Sequence, residues 1–200
     1  MKQLPTQKRA LEKRSALIAA AEISFAEHGY EQTTAKTIAT TAGVATGTFY
    51  QYFDNKDDML RVIAQKQRDE IYQTLPELQL QDIQHAKANA EALFREVLEM
   101  IYDYHQAEAA LHQVLEQRRI IDAELDTILL RAEAIIEGKV RLYVQAFNPN
   151  NPEAVSYNLF AMAEGLVHRH VFGNPTSSKK DALDLGARML ACYFDCSHSK

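Results

Sequence analysis

Two hundred residues, 46% hydrophobic and 24% charged, are enough to bury one large core or two small ones, so the chain needs no disulfide or metal to fold. The same balance excludes a disordered chain, and no apolar run reaches the length that crosses a bilayer. The net charge of −5 argues against nucleic acid only as a sum: residues 1–56 hold seven Lys/Arg against five acids, a balance of +2, while the remaining 144 hold fifteen against twenty-two, −7. That asymmetry suggests a DNA-facing head on an acidic body, and five of the seven head cations fall in the first fourteen residues, where an arm could grip phosphates.

No apolar leader stands at the N-terminus, so a cytoplasmic location is expected. Cys192 and Cys196 lie four apart, and in a reducing compartment the expectation is a buried Cys192 and a frayed Cys196 rather than a redox pair. Gly and Pro are scarce within long stretches whose apolar residues recur at three and four, which predicts an all-α chain of about nine helices. The first covers about 6–28, with Leu11, Leu17, Ile18, Ala21, Ile23 and Phe25 on its apolar side and Gly29 as its stop. Thr33 and Thr34 precede a short helix through 41, Gly43 breaks it, and a third helix spans 45–52.

Asp54-Asn55 starts a fourth helix, with Asp57 and Asp58 in the first turn, running to about 75 before Pro76. Helices follow at about 81–106, 109–118, 121–147, 153–172 and 179–195. The Asn/Pro-rich loop 148–152 and the loop 173–176 separate the last three. The expected division is a helix-turn-helix domain over 1–54, with its motif at about 34–52, and a ligand-binding and dimerisation domain over 55–200 that begins with the connecting helix 55–75.

The stretch Thr33 to Phe53 carries most of the function. Two short helices joined by a three-residue turn need a small residue on the first, a glycine in the turn and apolar anchors on both. Ala39, Gly43 and the set Ile38, Val44, Phe49 and Tyr52 fill those places. With its neighbours, Phe25 to Thr34, Gly47-Thr48-Phe49-Tyr50, Tyr52-Phe53 and Asn55 to Leu60, the stretch closely resembles the DNA-binding domain of the TetR family. The resemblance covers about Leu17 to Leu60 without a gap.

The second helix of the motif should enter the major groove, presenting Ala45, Thr46, Thr48, Tyr50 and Gln51 while Val44, Phe49 and Tyr52 face the core. Gln51 could pair with adenine and Thr48 could touch a base edge or a thymine methyl. In similar proteins the positions of Thr33, Tyr50 and Lys56 contact phosphates, with Thr34 and Lys36 beside them. Ala45-Thr46 stands where serine followed by lysine is frequent, so this helix loses a cap and a charge, and binding should lean on the N-terminal arm, Lys36 and Lys56.

The resemblance implies that the last two helices form a four-helix interface with a second copy. Val155, Leu159, Met162, Leu166 and His170 on one, and Leu185, Met189 and Tyr193 on the other, are the candidates. One helix-turn-helix reads only a few base pairs, which independently favours a dimer. A small-molecule pocket, also implied by the resemblance, would draw on Tyr72, Phe94, Leu98, Ile101, Tyr102, His105, Leu115, Arg118, Tyr143 and Glu164, apolar residues with a few polar groups. His168 and His170, two apart on one helix, point about 200° apart and cannot share a metal between them. No cofactor or metal is expected. The function expected is that of a homodimeric repressor of a palindromic operator, released by a small-molecule inducer. An all-α enzyme lacks support in any phosphate loop, nucleophile elbow or zinc spacing, and a helical interaction protein without DNA contact leaves the hairpin and its flanks unexplained.

Overall fold

The computed structural model describes residues 7–74, 89–147 and 149–196. Among them the structure is all-α, with nine helices: α1 Lys8–Gln32, α2 Ala35–Thr41, α3 Thr46–Tyr52, α4 Lys56–Thr74, α5 Ala90–Ala107, α6 Ala109–Arg119, α7 Ala123–Ala146, α8 Pro152–Phe172 and α9 Lys179–Cys196. The expected start of α5 at residues 81–88, Pro76 and the arm residues 1–6 lie outside the described residues. No described helix is long and apolar enough to cross a membrane.

Most helix starts carry a polar cap. Thr34 accepts from the N–H of Thr37, and the Thr37 hydroxyl accepts from the N–H of Thr34, closing a capping box with threonine in place of the usual glutamate. Asn55 caps α4 through the N–H of Asp58, Asn89 caps α5, Asp122 caps α7 through the N–H of Leu125, and Asn151 caps α8 ahead of Pro152. Each such cap contributes about 1 kcal/mol.

Gly29 does interrupt α1, with φ +73° and ψ 175°, but one further turn follows to Gln32. That turn folds Tyr30 back so that its ring stacks on Phe25 at 5.9 Å. Leu11 and Ile23, expected inside, are 42% and 50% exposed. They lie on a flank of the helix that faces away from the buried core of Leu17, Ala21 and Phe25.

The chain forms two compact units, residues 1–74 with 110–132 and residues 75–109 with 133–200. The first is built around Leu17, Phe25, Ile38, Phe49, Phe53, Met59 and Ile63, with Leu111, Leu115 and Leu125 from α6 and α7 in the same core. Burial of each large side chain contributes roughly 1.5–3 kcal/mol. In the second, α5, α8 and α9 enclose Leu98, Val167, Leu183 and Leu190, with Phe194 stacked on Phe94 at 5.7 Å and against Phe147 at 4.3 Å. Gly186 permits the close approach of α9: a Cβ there would meet the Leu166 side chain at 2.6 Å and Leu98 at 3.1 Å.

Candidate nucleic-acid interface

The turn between α2 and α3 is a complete Schellman closure. The N–H of Gly43 donates to Thr40 O at 3.1 Å and that of Val44 to Ala39 O at 2.9 Å, with Gly43 at φ +66°. Only a residue at ease in the left-handed region closes it without strain. Beyond the turn Phe49 is fully buried, packing on Phe53 at 5.5 Å, and Val44 and Tyr52 lie partly buried against the same core. The anchors therefore fix which side of α3 is displayed.

That side carries the predicted readers. Ala45, Tyr50 and Gln51 are exposed, Thr46 and Thr48 half-buried, and on α2 Thr34 and Lys36 are exposed. Tyr50 is 51% exposed. Ala45 occupies the N-cap position of α3 and makes no side-chain cap bond, as the missing serine predicts.

Two predicted phosphate contacts sit differently. The Thr33 side chain is wholly buried, its hydroxyl engaged by the carbonyls of Gly29 at 2.8 Å and Ser24 at 2.9 Å. It ties the end of α1 to the motif and has no hydroxyl to offer a phosphate; the cap is Thr34. Lys56 donates to Tyr30 O at 2.9 Å and Thr33 O at 3.4 Å and lies 3.9 Å from the Tyr30 ring centre. Its charge closes the last turn of α1 as well as facing outward.

Tyr30 is the hub of this arrangement. Arg118 of α6 covers the ring with its guanidinium carbon 3.9 Å from the centre and donates to Asp57 at 2.9 Å. The Tyr30 hydroxyl donates to the same carboxylate. Burial first, and then the bond to Asp57, push the Tyr30 phenol well above the usual tyrosine range. Beside it Arg61 grips Asp122 at 3.0 Å and Glu124 at 2.8 Å, and Arg61, Arg118, Asp57, Asp122 and Glu124 line an open, charged cleft of about 390 Å³. The grouping of Tyr30, Asp57, Arg61 and Asp122 is not legible in the sequence, because partners 61 residues apart leave no local pattern.

The ten pocket candidates are divided between the two units. Leu115 belongs to the core of the first unit, Arg118 to the Tyr30 cluster, and Tyr72 is 64% exposed. In the second unit Phe94, Leu98, Ile101, Tyr102 and His105 are buried along α5, Tyr143 is half-buried and so is Glu164. Tyr102 and His170 are joined: the tyrosine donates to Nδ1 at 3.0 Å, and the opposite nitrogen, Nε2, donates to Ser177 O at 3.0 Å.

The interface candidates divide by side. Met162, Leu185, Met189 and Tyr193 are 44–54% exposed, and Tyr157 beside them is 62% exposed. Leu159 is buried in the unit's own core, with Val155 and Leu166 packed against it. Cys192, expected to be buried, is exposed, which places it on the outward flank of α9; the Cys196 side chain lies outside the described residues.

Residues 17–63 match the family described as bacterial regulatory proteins, tetR family. Among curated proteins the chain is 40% identical over 74 residues to the HTH-type transcriptional regulator HbdR of Aromatoleum sp. strain CIB, covering 37% of this chain and 32% of that one. It is 31% identical over 120 residues to the HTH-type transcriptional repressor KstR2 of Rhodococcus jostii, covering 58% of each. The chain thus spans about a third and under three-fifths of the length of these two relatives. Among solved structures, a TetR-family transcriptional regulator from Mesorhizobium loti superposes with a TM-score of 0.73 at 16% identity, covering 94% of this chain and 98% of that one. This likeness extends the shared fold well beyond the residues that match in sequence.

Proposed function

We propose, from the match of residues 17–63 to the tetR family of bacterial regulatory proteins, that the chain is a ligand-responsive regulator that binds a palindromic DNA operator as a homodimer and releases it when a small molecule binds. The observation that carries this reading is the displayed side of α3, where Tyr50 and Gln51 stand exposed over a buried Phe49. Tyr50 and Lys56 grip phosphates, Gln51 and Thr48 read base edges, and Lys36 adds charge from α2. Thr33 supports this surface from beneath. A repressor is the favoured sign, since the relative KstR2 is a transcriptional repressor.

Two copies meet through the exposed apolar side of α8 and α9, at Met162, Leu185, Met189 and Tyr193. Two recognition helices must lie about 34–36 Å apart to read successive major grooves, so any ligand that alters this spacing lowers operator affinity. Arg118 supplies a path for that change within the first unit: a shift of α6 pulls on Asp57 in the first turn of α4, next to Lys56. The ligand must bind the two arrangements with different affinity, and operator lowers ligand affinity by the same factor.

Fluorescence anisotropy on DNA from upstream of the protein's own gene tests the proposal. Specific binding should fall on the order of 10⁻⁸ to 10⁻¹¹ M at physiological salt and exceed that to random DNA at least about 10³-fold. Equal affinity for both DNAs at every salt concentration would overturn it.

A further inference from the structure

Three donor atoms converge in the second unit outside the DNA-reading surface. His105 Nε2 of α5 lies 3.1 Å from His168 Nε2 of α8 and 3.5 Å from Glu164 Oε2, and His168 Nε2 lies 3.3 Å from the same oxygen. His168 and His170 cannot share an ion, but His168 has other company across the helix pair. We propose that His105, Glu164 and His168 form a binding site for a borderline divalent transition-metal ion of the zinc class.

The spacing is that of a coordination shell. Zinc bonds to imidazole nitrogen and carboxylate oxygen are about 2.0–2.1 Å, so tetrahedral donors stand roughly 3.3–3.4 Å apart. The three observed separations average close to this. An ion about 2.05 Å from all three would sit roughly 0.7 Å above their plane, which is where the centre of a tetrahedron lies relative to one of its faces. Glu164 and His168 reach it together because residues four apart share a helix face.

The tautomer of His105 is prepared for this role. Its Nδ1 lies 2.8 Å from Ile101 O, and a carbonyl can only accept, so Nδ1 carries a proton and Nε2 is the nitrogen that can present a lone pair to an ion. His168 Nε2 and Glu164 Oε2 stand within 3.5 Å of that nitrogen, so three potential donor atoms turn toward one point. A cation there satisfies all three at once. The Phe172 ring packs edge-on against both imidazoles, with centroids 5.2 and 6.2 Å away, giving an apolar shell of the kind that strengthens ligand bonds.

Two imidazoles and one carboxylate select Zn²⁺, Co²⁺ or Ni²⁺ over Mg²⁺ and Ca²⁺, which prefer all-oxygen shells. The remaining coordination positions fall to water or an incoming donor, as in sites with three protein ligands. The bound ion would clamp α5 to α8. None of this depends on DNA binding.

The test is titration of the full-length, chelator-stripped protein with Co²⁺, followed by visible d–d absorbance. The expected result is one ion per chain at micromolar or tighter affinity, with the intense bands of a low-coordinate site, displaced by Zn²⁺. His168→Gln and Glu164→Gln, both at partly exposed positions, should each weaken binding by at least about 100-fold while circular dichroism stays unchanged, since even outer-shell losses cost 10–100-fold. His28→Gln, on the exposed surface of the first unit, should bind as the parent does. Absence of stoichiometric binding would reduce the trio to a hydrogen-bond network and overturn the proposal. Binding indifferent to both variants would overturn it equally, by placing the ion elsewhere.

Discussion

Arg118 on α6 and Asp57 in the first turn of α4 meet at 2.9 Å across a ring, that of Tyr30, which the same guanidinium covers. The pair is largely shielded, and a cation over a desolvated ring is worth up to about 2 kcal/mol. Arg118→Met should therefore lower unfolding free energy by about 1–2 kcal/mol in urea titration. Arg118→Lys should not restore it, because a point charge cannot both stack and fork. Full stability in Arg118→Lys would show that charge alone matters here.

Lys56 and Gln51 should separate cleanly. Lys56→Ala removes the bonds to Tyr30 O and Thr33 O as well as the proposed phosphate contact, so it should cost about 1 kcal/mol of stability and reduce the salt slope of DNA binding by about 1 on any sequence. Gln51→Ala, fully outward, should leave the unfolding midpoint in place and relax preference at particular base pairs. Paired denaturation and anisotropy series check both.

Gly43 isolates a backbone effect. Its φ is +66°, and a methyl group added there would find no atom within 4 Å, so Gly43→Ala meets strain but no clash and should cost about 1–2 kcal/mol. Gly43→Asn should cost less, since asparagine tolerates the left-handed region. A thermal-shift comparison of the two variants is enough to check the order.

Asp122 provides the pH dependence. Burial alone would raise its carboxyl, but the N–H of Leu125 and the Arg61 guanidinium outweigh this and hold it below the usual aspartate range. A depressed folded value means its stabilisation is present above the unfolded value of about 4 and is lost as pH falls through the folded one. Asp122→Ala should thus be less stable than the parent by about 2 kcal/mol at pH 7 through loss of cap and ion pair. The gap should narrow below pH 4; a gap constant from pH 7 to 2 would rule out the charged pair.

For assembly, the informative position is on the outward side of α9. Leu185→Glu or Met189→Glu should leave a folded monomer, because an unpaired charge in an apolar interface costs several kcal/mol. Leu166 is a poor probe, since it packs against Gly186 inside one chain. Sedimentation velocity at micromolar concentration distinguishes the outcomes, and operator affinity should fall with the dimer.

What could be read in advance was local. The helix start at Asn55, the Gly43 turn and the missing cap at Ala45 each depend on residues within four positions of one another, and each stands where the pattern put it. Thr33 misled because it is adjacent to the true cap and a hydroxyl suits either place; its burial depends on Ser24 and Gly29, which only the fold brings near. The pocket candidates are divided between the two units because periodicity says which side of a helix is apolar, not which core that side joins. Leu115 and Leu98 have the same signature and lie in different units.

Tyr30 has a cation at its ring from α4 and another from α6, with Phe25 stacked on it and its hydroxyl tied to Asp57. A ring so enclosed cannot turn over about its long axis unless Lys56, Arg118 or Phe25 first draws back. Its flip rate is therefore a clock for the opening of α6 from the DNA-reading end, slow enough to resolve the two ring edges while the cluster is shut and averaged once it loosens, in a chain with no tryptophan to crowd the aromatic spectrum.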